Sequence, residues 1–265
     1  MKIVVCIKQV PDTTEVRLDP KTNTLIRDGV PSIINPDDKS GIEAALQLKE
    51  QCPGSTVTVL CMGPPQADVA LREALAMGCD EAVLLSDRAF GGADTWATSS
   101  TLATALKKIG YDIIITGRQA IDGDTAQVGP QIAEHLGLPQ ISYVEKIEVE
   151  SEDTLDVQRQ FEGFYHVIEI KTPCLLTALS QLATPRYMTV QGVVDAYTEK
   201  EVNLWTLADI EDTVDKANLG LKGSPTRVMK SFTKQAKGAG TVLKDLSDDE
   251  AVAAIIAKLQ EKHII

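Results

Sequence analysis

No C-x-x-C pair occurs in the chain: Cys6, Cys52, Cys61, Cys79 and Cys174 stand singly, mostly in or beside apolar runs. That spacing argues against zinc ligands or a disulfide framework and for buried, reduced thiols. Aromatic side chains are scarce, with four Phe and two Trp among 265 residues, which leaves few platforms for stacking single-stranded bases. Basic residues are outnumbered 26 to 38 by acidic ones, and the net charge of -12 repels a phosphate polyanion, so nucleic acid is not an expected partner. No apolar run approaches the ~18 residues of a membrane span. The opening MKIVVCIKQVPD starts a strand pattern with no small-residue cleavage site, and a cytoplasmic location is expected. Only three histidines exist, and none of His135, His166 and His263 has a convincing Ser or Asp partner in its sequence context. Surface or capping roles are expected for them, and no residue is assigned a catalytic or metal-binding role.

What the chain does have is apolar material, 43 % of its residues, enough for one large core with room for a smaller second unit. Short runs rich in Val and Ile at 2–10, 55–63, 81–86 and 111–117 read as buried parallel strands. Helical patterns lie between and after them at 36–51, 66–77, 94–108 and 125–136. In the first, Asn35 is placed to cap, Pro36 takes the first helical position, and Ile42, Ala45, Leu46 and Lys49 recur at helical spacing. The alternation predicts a doubly wound, mostly parallel α/β sheet whose ligands bind beyond the carboxyl ends of the strands. Residues 15–29 carry two alternating segments around Pro-Lys-Thr-Asn and predict an exposed hairpin. After Pro139 the period becomes two, and 141–150, 154–163, 164–171 and 174–180 predict antiparallel strands added to the sheet. Apolar periodicity then fades from 190 to about 246, a Gly-, Ser- and Lys-rich stretch. A terminal helix follows, with Ser247 and Glu250 as a capping box and a stripe of Val252, Ile255, Ile256 and Leu259. That stripe suits a partner subunit or the chain's own core equally.

The stretch GRQAIDGDTAQVGPQIAEHLG, residues 117–137, has the placement of a phosphate cradle, yet it contains no lysine and two aspartates. It leaves the carboxyl end of the 111–117 strand and leads into a helix for which Thr125 is a fitting cap. A helix start binds anions without lysine because its first N–H groups lack internal partners. Thr125 and Gln127 add neutral donors, Pro130 is expected to distort the first turn, and Asp122 and Asp124 suit ribose hydroxyls or an adenine amino group better than a bare phosphate. Such a loop fits a whole nucleotide. On these residues alone a solvated turn with a cap fits equally well, and the spacing matches neither GxxxxGK[ST] nor GxGxxG.

Several stretches carry a resemblance: VCIKQVPDT, DGVPSIINPDD, CMGPP, ALAMGCDEAVLLSD and above all GRQAIDGDTAQVGPQIAEHLGLP, with TPRYMTV at 184–190 and the terminal helix. Together they resemble the beta subunit of electron-transfer flavoproteins over essentially the whole chain. The resemblance implies a heterodimer with an alpha subunit that carries its own FAD, and an adenine-nucleotide site in the beta subunit. Within the family that nucleotide is a structural AMP in simpler members and a second FAD, reduced by NADH, in electron-bifurcating ones. VPDTTEV at 10–16 and FGGADTWATS at 90–99 resemble the second group, so FAD is expected, with AMP the alternative. In the latter stretch Asp94 or Thr95 caps a third helix, and Gly91 and Gly92 let backbone approach a ligand whose second phosphate that helix start receives. The same segment also fits an ordinary strand-to-helix loop.

Carried over by position, the implied nucleotide site comprises Cys6, Asn35, Asp38, Met62, Gly63, Asp94 and Thr95. To these it adds the loop residues Gly117, Arg118, Gln119, Asp122, Gly123, Asp124, Thr125, Ala126, Gln127, Val128 and Gly129. For Cys6 and Met62 ordinary core filling fits as well as direct contact. The implied division is a nucleotide-binding domain at 1–190 with its antiparallel extension, and at 191–265 an arm and helix that pack on the partner subunit. Residues 184–192 resemble the loop with which the family meets a flavin-dependent dehydrogenase, of acyl-CoA or 2-hydroxy-acid type, which marks Arg186, Tyr187 and Val190. Where the family pattern leads us to expect an exposed leucine this chain has Val190, and a smaller anchor implies a different partner. Ferredoxin or flavodoxin is the implied low-potential acceptor. Hydride transfer to a flavin needs positioning and electrostatics rather than a protein nucleophile, in keeping with the lack of one here.

Overall fold

The computed structural model describes residues 1–12, 31–229, 238 and 240–265. The predicted hairpin at 15–29 and most of the VPDTTEV stretch lie outside the described residues.

Strand β1 (Lys2–Ile7) shows why the apolar runs are unbroken: Ile3, Val5 and Ile7 join one buried cluster and Val4 and Cys6 another, on opposite faces of a sheet. A small antiparallel pair, β2 (Gln9–Pro11) and β3 (Ser32–Ile34), precedes α1 (Pro36–Gln51). The chain then alternates through β4 (Thr56–Met62), α2 (Asp68–Met77), β5 (Glu81–Leu85), α3 (Thr95–Ile109), β6 (Ile113–Gly117) and α4 (Val128–Leu136). Ile42, Leu46, Leu71 and Leu75 of α1 and α2 pack on one face, while Leu102, Leu106 and Ile132 of α3 and α4 pack on the other.

Next come β7 (Gln140–Val149), β8 (Thr154–Phe161), β9 (Phe164–Lys171), β10 (Cys174–Ala178), α5 (Val190–Thr198) and β11 (Val202–Trp205). Among the described residues the main sheet has nine strands in the order β11-β5-β4-β1-β6-β10-β7-β8-β9. From β11 to β7 every neighbouring pair is parallel, and β8 and β9 are antiparallel additions. The doubly wound α/β sheet with antiparallel strands is thus present. From β1 the chain winds outward to β4 and β5, then crosses back to β6 on the other side of β1. That reversal makes the boundary between β1 and β6 a topological switch point, where crevices form in open α/β sheets.

One strand departs from expectation. Residues 174–180 were grouped with the antiparallel strands, but β10 lies parallel between β6 and β7. Every residue of β10 is buried, the mark of a central strand covered on both faces, and its nearness in sequence to a hairpin hid that.

Residues after 190 also hold more order than their fading periodicity implied. Helix α5 and the turn after it are tied to α2 and its carboxyl end by polar bonds, Arg72 Nη1 to the Ala196 carbonyl at 2.6 Å and Lys200 Nζ to the Cys79 carbonyl at 2.7 Å, which leave little trace in a hydrophobic pattern. Short helices α6 (Leu207–Ile210) and α7 (Gly220–Gly223) follow β11, and this first compact unit runs from Met1 to Val228. A second unit, Met229–Ile265, contains α8 (Asp248–Glu261), which opens with the expected capping box of Ser247 and Glu250. Among the described residues no helix is long and apolar enough to cross a membrane.

Candidate functional site

At the carboxyl ends of β1, β4, β5 and β6 the first unit opens into a cleft of about 1080 Å³. One wall is the 117–129 loop, the other the 90–95 loop, and the floor is made by Cys6 to Gln9, Asp38, Met62 and Gly63.

Asp38, in the first turn of α1, joins the elements that meet at the switch point. Its Oδ2 accepts from the Lys8 amide at 2.7 Å, and its Oδ1 from the Gly117 amide at 2.9 Å and Asn35 Nδ2 at 3.0 Å. A Cβ at position 117 would overlap Asp38 Oδ1, so this junction requires glycine. Burial pushes the Asp38 carboxyl up to about 7, against the three donors that favour its ionised form. Asn35 occupies the N-cap position of α1 but spends its side chain elsewhere: Nδ2 also donates to the Gln119 carbonyl at 2.8 Å, and Oδ1 accepts from the Ile121 amide at 3.1 Å. Asn35 and Asp38 thereby set the path of the 117–129 loop.

Within that loop Asp124 (φ 52°) and Ala126 (φ 51°) adopt the left-handed region, a strained choice for residues with a Cβ. The turn at Ala126 ends in α4, which begins at Val128 with Gln127 as its N-cap rather than at the expected Thr125. Pro130 consequently falls in the first turn, where its missing N–H leaves no bond unmade, and the expected distortion has no cause. Among the described residues the amides of Gln127, Val128 and Gly129 have no protein acceptor, and these residues line the cleft. A left-handed residue followed by a helix start is a concave nest of N–H groups that favours an anion. Gly129 is needed for close packing here, since a Cβ would lie 2.5 Å from Thr116 Oγ1 and 2.9 Å from Thr177 Cγ2.

Most of the sequence-identified residues meet in this cleft: Cys6, Asp38, Met62, Gly63, Asp94, Thr95, Gly117, Arg118, Gln119, Gly123, Thr125, Ala126, Gln127, Val128 and Gly129 all line it. Asn35, Asp122 and Asp124 do not. Asp122, expected to face a ribose, pairs with Lys8 Nζ at 2.6 Å and its side chain is only 4 % exposed. Asp124 accepts from Gln119 Nε2 at 2.8 Å. Asp94 lines the cleft with both oxygens engaged: Oδ1 caps α3 through the Ala97 amide at 3.0 Å, and Oδ2 accepts from the Thr226 amide and hydroxyl at 2.9 and 2.7 Å. Partial burial opposes its charge, but these donors hold its carboxyl below the usual range, so the α3 start carries a built-in anion. The two walls touch where Thr95 Oγ1 donates to Gln127 Oε1 at 2.9 Å.

Of the cleft's cations the sequence marked Arg118 but not Lys8 or Arg88, which also line it, so the absence of lysine from the 117–137 stretch does not make the site free of lysine. Lys8 was legible in principle, because the residue just past a central strand's carboxyl end faces the crevice. Also missed was a serine partner for His135, whose Nε2 lies 3.2 Å from Ser99 Oγ while Trp96 stacks edge-on at 4.7 Å. This cluster lies between α3 and α4 and does not line the cleft. Among the described residues no group of three His, Cys, Asp or Glu is placed to hold a metal ion.

Away from the cleft, Tyr187 in the loop before α5 (98 % exposed) and Val190 at the start of that helix (84 % exposed) stand in solvent. Arg186 is engaged within the chain. Its Nε and Nη2 fork onto Glu43 at 2.8 and 2.9 Å, and its Nη1 reaches Glu50 at 2.7 Å, anchoring the loop to α1.

Fold and cleft together define a doubly wound α/β protein of the open-sheet type, with its main crevice at the switch point, where such sheets bind their ligands. The family profile described as electron transfer flavoprotein domain matches residues 22–210. A protein of Clostridium acetobutylicum named electron transfer flavoprotein subunit beta is 63 % identical over 265 residues, covering all of both chains. A protein of Acetobacterium woodii named caffeyl-CoA reductase-Etf complex subunit CarD is 54 % identical over 266 residues, again the whole of both. A protein of Azorhizobium caulinodans named protein FixA is 46 % identical over 270 residues, 99 % of this chain and 95 % of that one. The chain belongs to the electron transfer flavoprotein family, on its beta-subunit side. Its role is in electron transfer.

Proposed function

We propose that this chain, paired with an alpha-type subunit, holds FAD in the cleft and works as the NADH-oxidising half of an electron-bifurcating flavoprotein. The observation that carries the reading is the two-walled shape of the site. A nest of unpaired amides at 127–129 faces a second wall at 90–95, and the volume of about 1080 Å³ slightly exceeds that of ordinary small-molecule pockets, roughly 300–1,000 Å³. A mononucleotide needs one wall, whereas a dinucleotide uses both.

The residues fit such a group. Amides at 127–129, aimed by left-handed Ala126, receive its phosphates, and Lys8 and Arg118 offset their charge. Because Asp94 is ionised and fully bonded, the α3 start does not take a second phosphate. The 90–95 wall instead meets the uncharged part of the ligand with Thr95, Thr98 and backbone at Gly91 and Gly92. Asp122 is withdrawn into its pair with Lys8, so adenosine recognition passes to the floor around Asp38 and Met62 and to backbone at 118–120. When bound, FAD supplies hydride acceptance and one-electron transfer, and the protein needs no acid, base or nucleophile of its own. Electrons then go to a low-potential carrier such as ferredoxin or flavodoxin, and through the alpha-subunit FAD to a flavin-dependent dehydrogenase. The acyl-CoA type is favoured by the relative named as part of a caffeyl-CoA reductase complex. Tyr187 and Val190 are the contact residues for that dehydrogenase, held forward by Arg186. Such a carrier draws on the NADH pool and works in the cytoplasm.

One observation favours the alternative, a nonbifurcating carrier with AMP in this subunit: the Asp94 carboxylate at the α3 start opposes a phosphate there, and the α4 start that remains suffices for one phosphate. Acid extraction of the purified heterodimer separates the two. The FAD reading requires two FAD per heterodimer and bleaching of the flavin absorbance by NADH. One FAD with one AMP, and no response to NADH, refutes it.

A further inference from the structure

The two walls of the cleft are secured in different ways. The 117–129 wall is pinned to the centre of the fold through Asp38, Asn35 and the Arg118 amide, which donates to the Ala178 carbonyl at 2.8 Å. The 90–95 wall has little structure of its own beyond one short turn, with the Phe90 amide on the Asp87 carbonyl at 3.1 Å and the Gly91 amide on Arg88 at 3.2 Å. What holds it arrives more than a hundred residues later in the chain. The Leu221 amide donates to the Gly91 carbonyl at 3.0 Å, and Leu221 lies against Gly92, where an added Cβ would come within 3.1 Å of its own. Buried Ser224 accepts from the Asp94 amide at 2.8 Å and donates to the Gly220 carbonyl at 2.7 Å. Thr226 closes the set with its two bonds to Asp94 Oδ2.

We propose that residues 220–226 are a strap that fixes the 90–95 wall and so sets the preference of the cleft for a dinucleotide over a mononucleotide. Ser224 is a positioning residue acting through Asp94, and Thr226, which itself lines the cleft, secures the same carboxylate. A mononucleotide seated on the 117–129 wall is indifferent to the strap. A dinucleotide spanning both walls is not, because ordering a loose second wall on binding subtracts from affinity. The inference rests on the nucleotide reading above.

The test is equilibrium binding of FAD and of AMP to the full chain and three variants. Ser224→Ala should weaken FAD about tenfold, the scale of one or two lost neutral hydrogen bonds, and leave AMP within about twofold. Thr226→Val should weaken FAD similarly, and Thr226→Ser, which keeps hydroxyl and amide, should restore it. A parallel loss of FAD and AMP in Ser224→Ala, or an unchanged FAD affinity in both Ser224→Ala and Thr226→Val, overturns the strap while leaving the nucleotide site standing. A wild-type chain that binds neither nucleotide overturns both.

Discussion

Replacing Arg186 by alanine tests the anchoring of the 184–190 loop. Glu43 lies on α1 with a side chain only 6 % exposed, and Arg186 supplies it with a two-pronged fork and a backbone amide at 3.1 Å. Removing one member of such a pair leaves a buried charge uncompensated, with a loss of about 3–5 kcal/mol expected. Gln47 Nε2 still donates to Glu43 at 3.1 Å, which argues for the lower end, about 3 kcal/mol. The Glu50 arm of the network adds little, roughly 0.5 kcal/mol, because that side chain is 61 % exposed. Urea unfolding of Arg186→Ala, Glu43→Gln and the double variant isolates the pair. The pH dependence supplies an independent check. Burial alone would raise the Glu43 carboxyl, but the Arg186 fork and amide hold it below the usual range. Its stabilisation is therefore complete above the unfolded value near 4.3 and fades as pH falls through the depressed folded value. This acid-sensitive component should vanish in Arg186→Ala. A loss under about 1 kcal/mol, or singles that add without coupling, refutes the anchor.

Other consequences concern the cleft. Asp38 has the opposite sign to Glu43: its folded value near 7 lies above the unfolded one, so its contribution is present in acid and lost as pH rises through about 7. Wild type should therefore gain about 3 kcal/mol relative to Asp38→Asn on moving from about pH 7.5 to about 4.5, and equal pH slopes in denaturant melts would contradict this. Gly129→Ala forces a methyl onto Thr116 and Thr177, for an expected loss of about 1–3 kcal/mol and of most bound nucleotide; an unaltered melting temperature with full nucleotide counts against the close packing. Lys8→Met strands the largely buried Asp122 carboxylate and should lower stability by about 1–3 kcal/mol, with Lys8→Arg restoring most of it in the same urea series.

The parallel strands were readable because a strand covered on both faces is apolar through its buried run, as IVVCI and III are. Helix α1 was readable to the residue from Asn35 and Pro36, although Asn35 proved to serve the loop rather than the helix. The start of α4 was misplaced by three residues because Thr125 has the chemistry of a cap. Nothing in a one-letter pattern announces that Ala126 turns left-handed between them. Strand β10 was misassigned since its pairing depends on residues sixty positions away. The site was legible in its loops and glycines. The roles of Asp94, Asp122 and Arg186 were not, because each is fixed by a partner remote in sequence: Thr226, Lys8 and Glu43.

Strand β11 gives the sheet's far side a protective function. It covers β5 along Val202 to Trp205, and β5 is EAVLL, short, apolar and almost fully buried. A shortened chain stopping at 190 would leave that row of amides and carbonyls bare, an invitation to edge-to-edge self-association against which β5 carries no proline and a single charge, Glu81 at its start. Aggregation of such a fragment, against good behaviour of one ending at 228, would be the practical signature of a sheet that is finished only by its last strand.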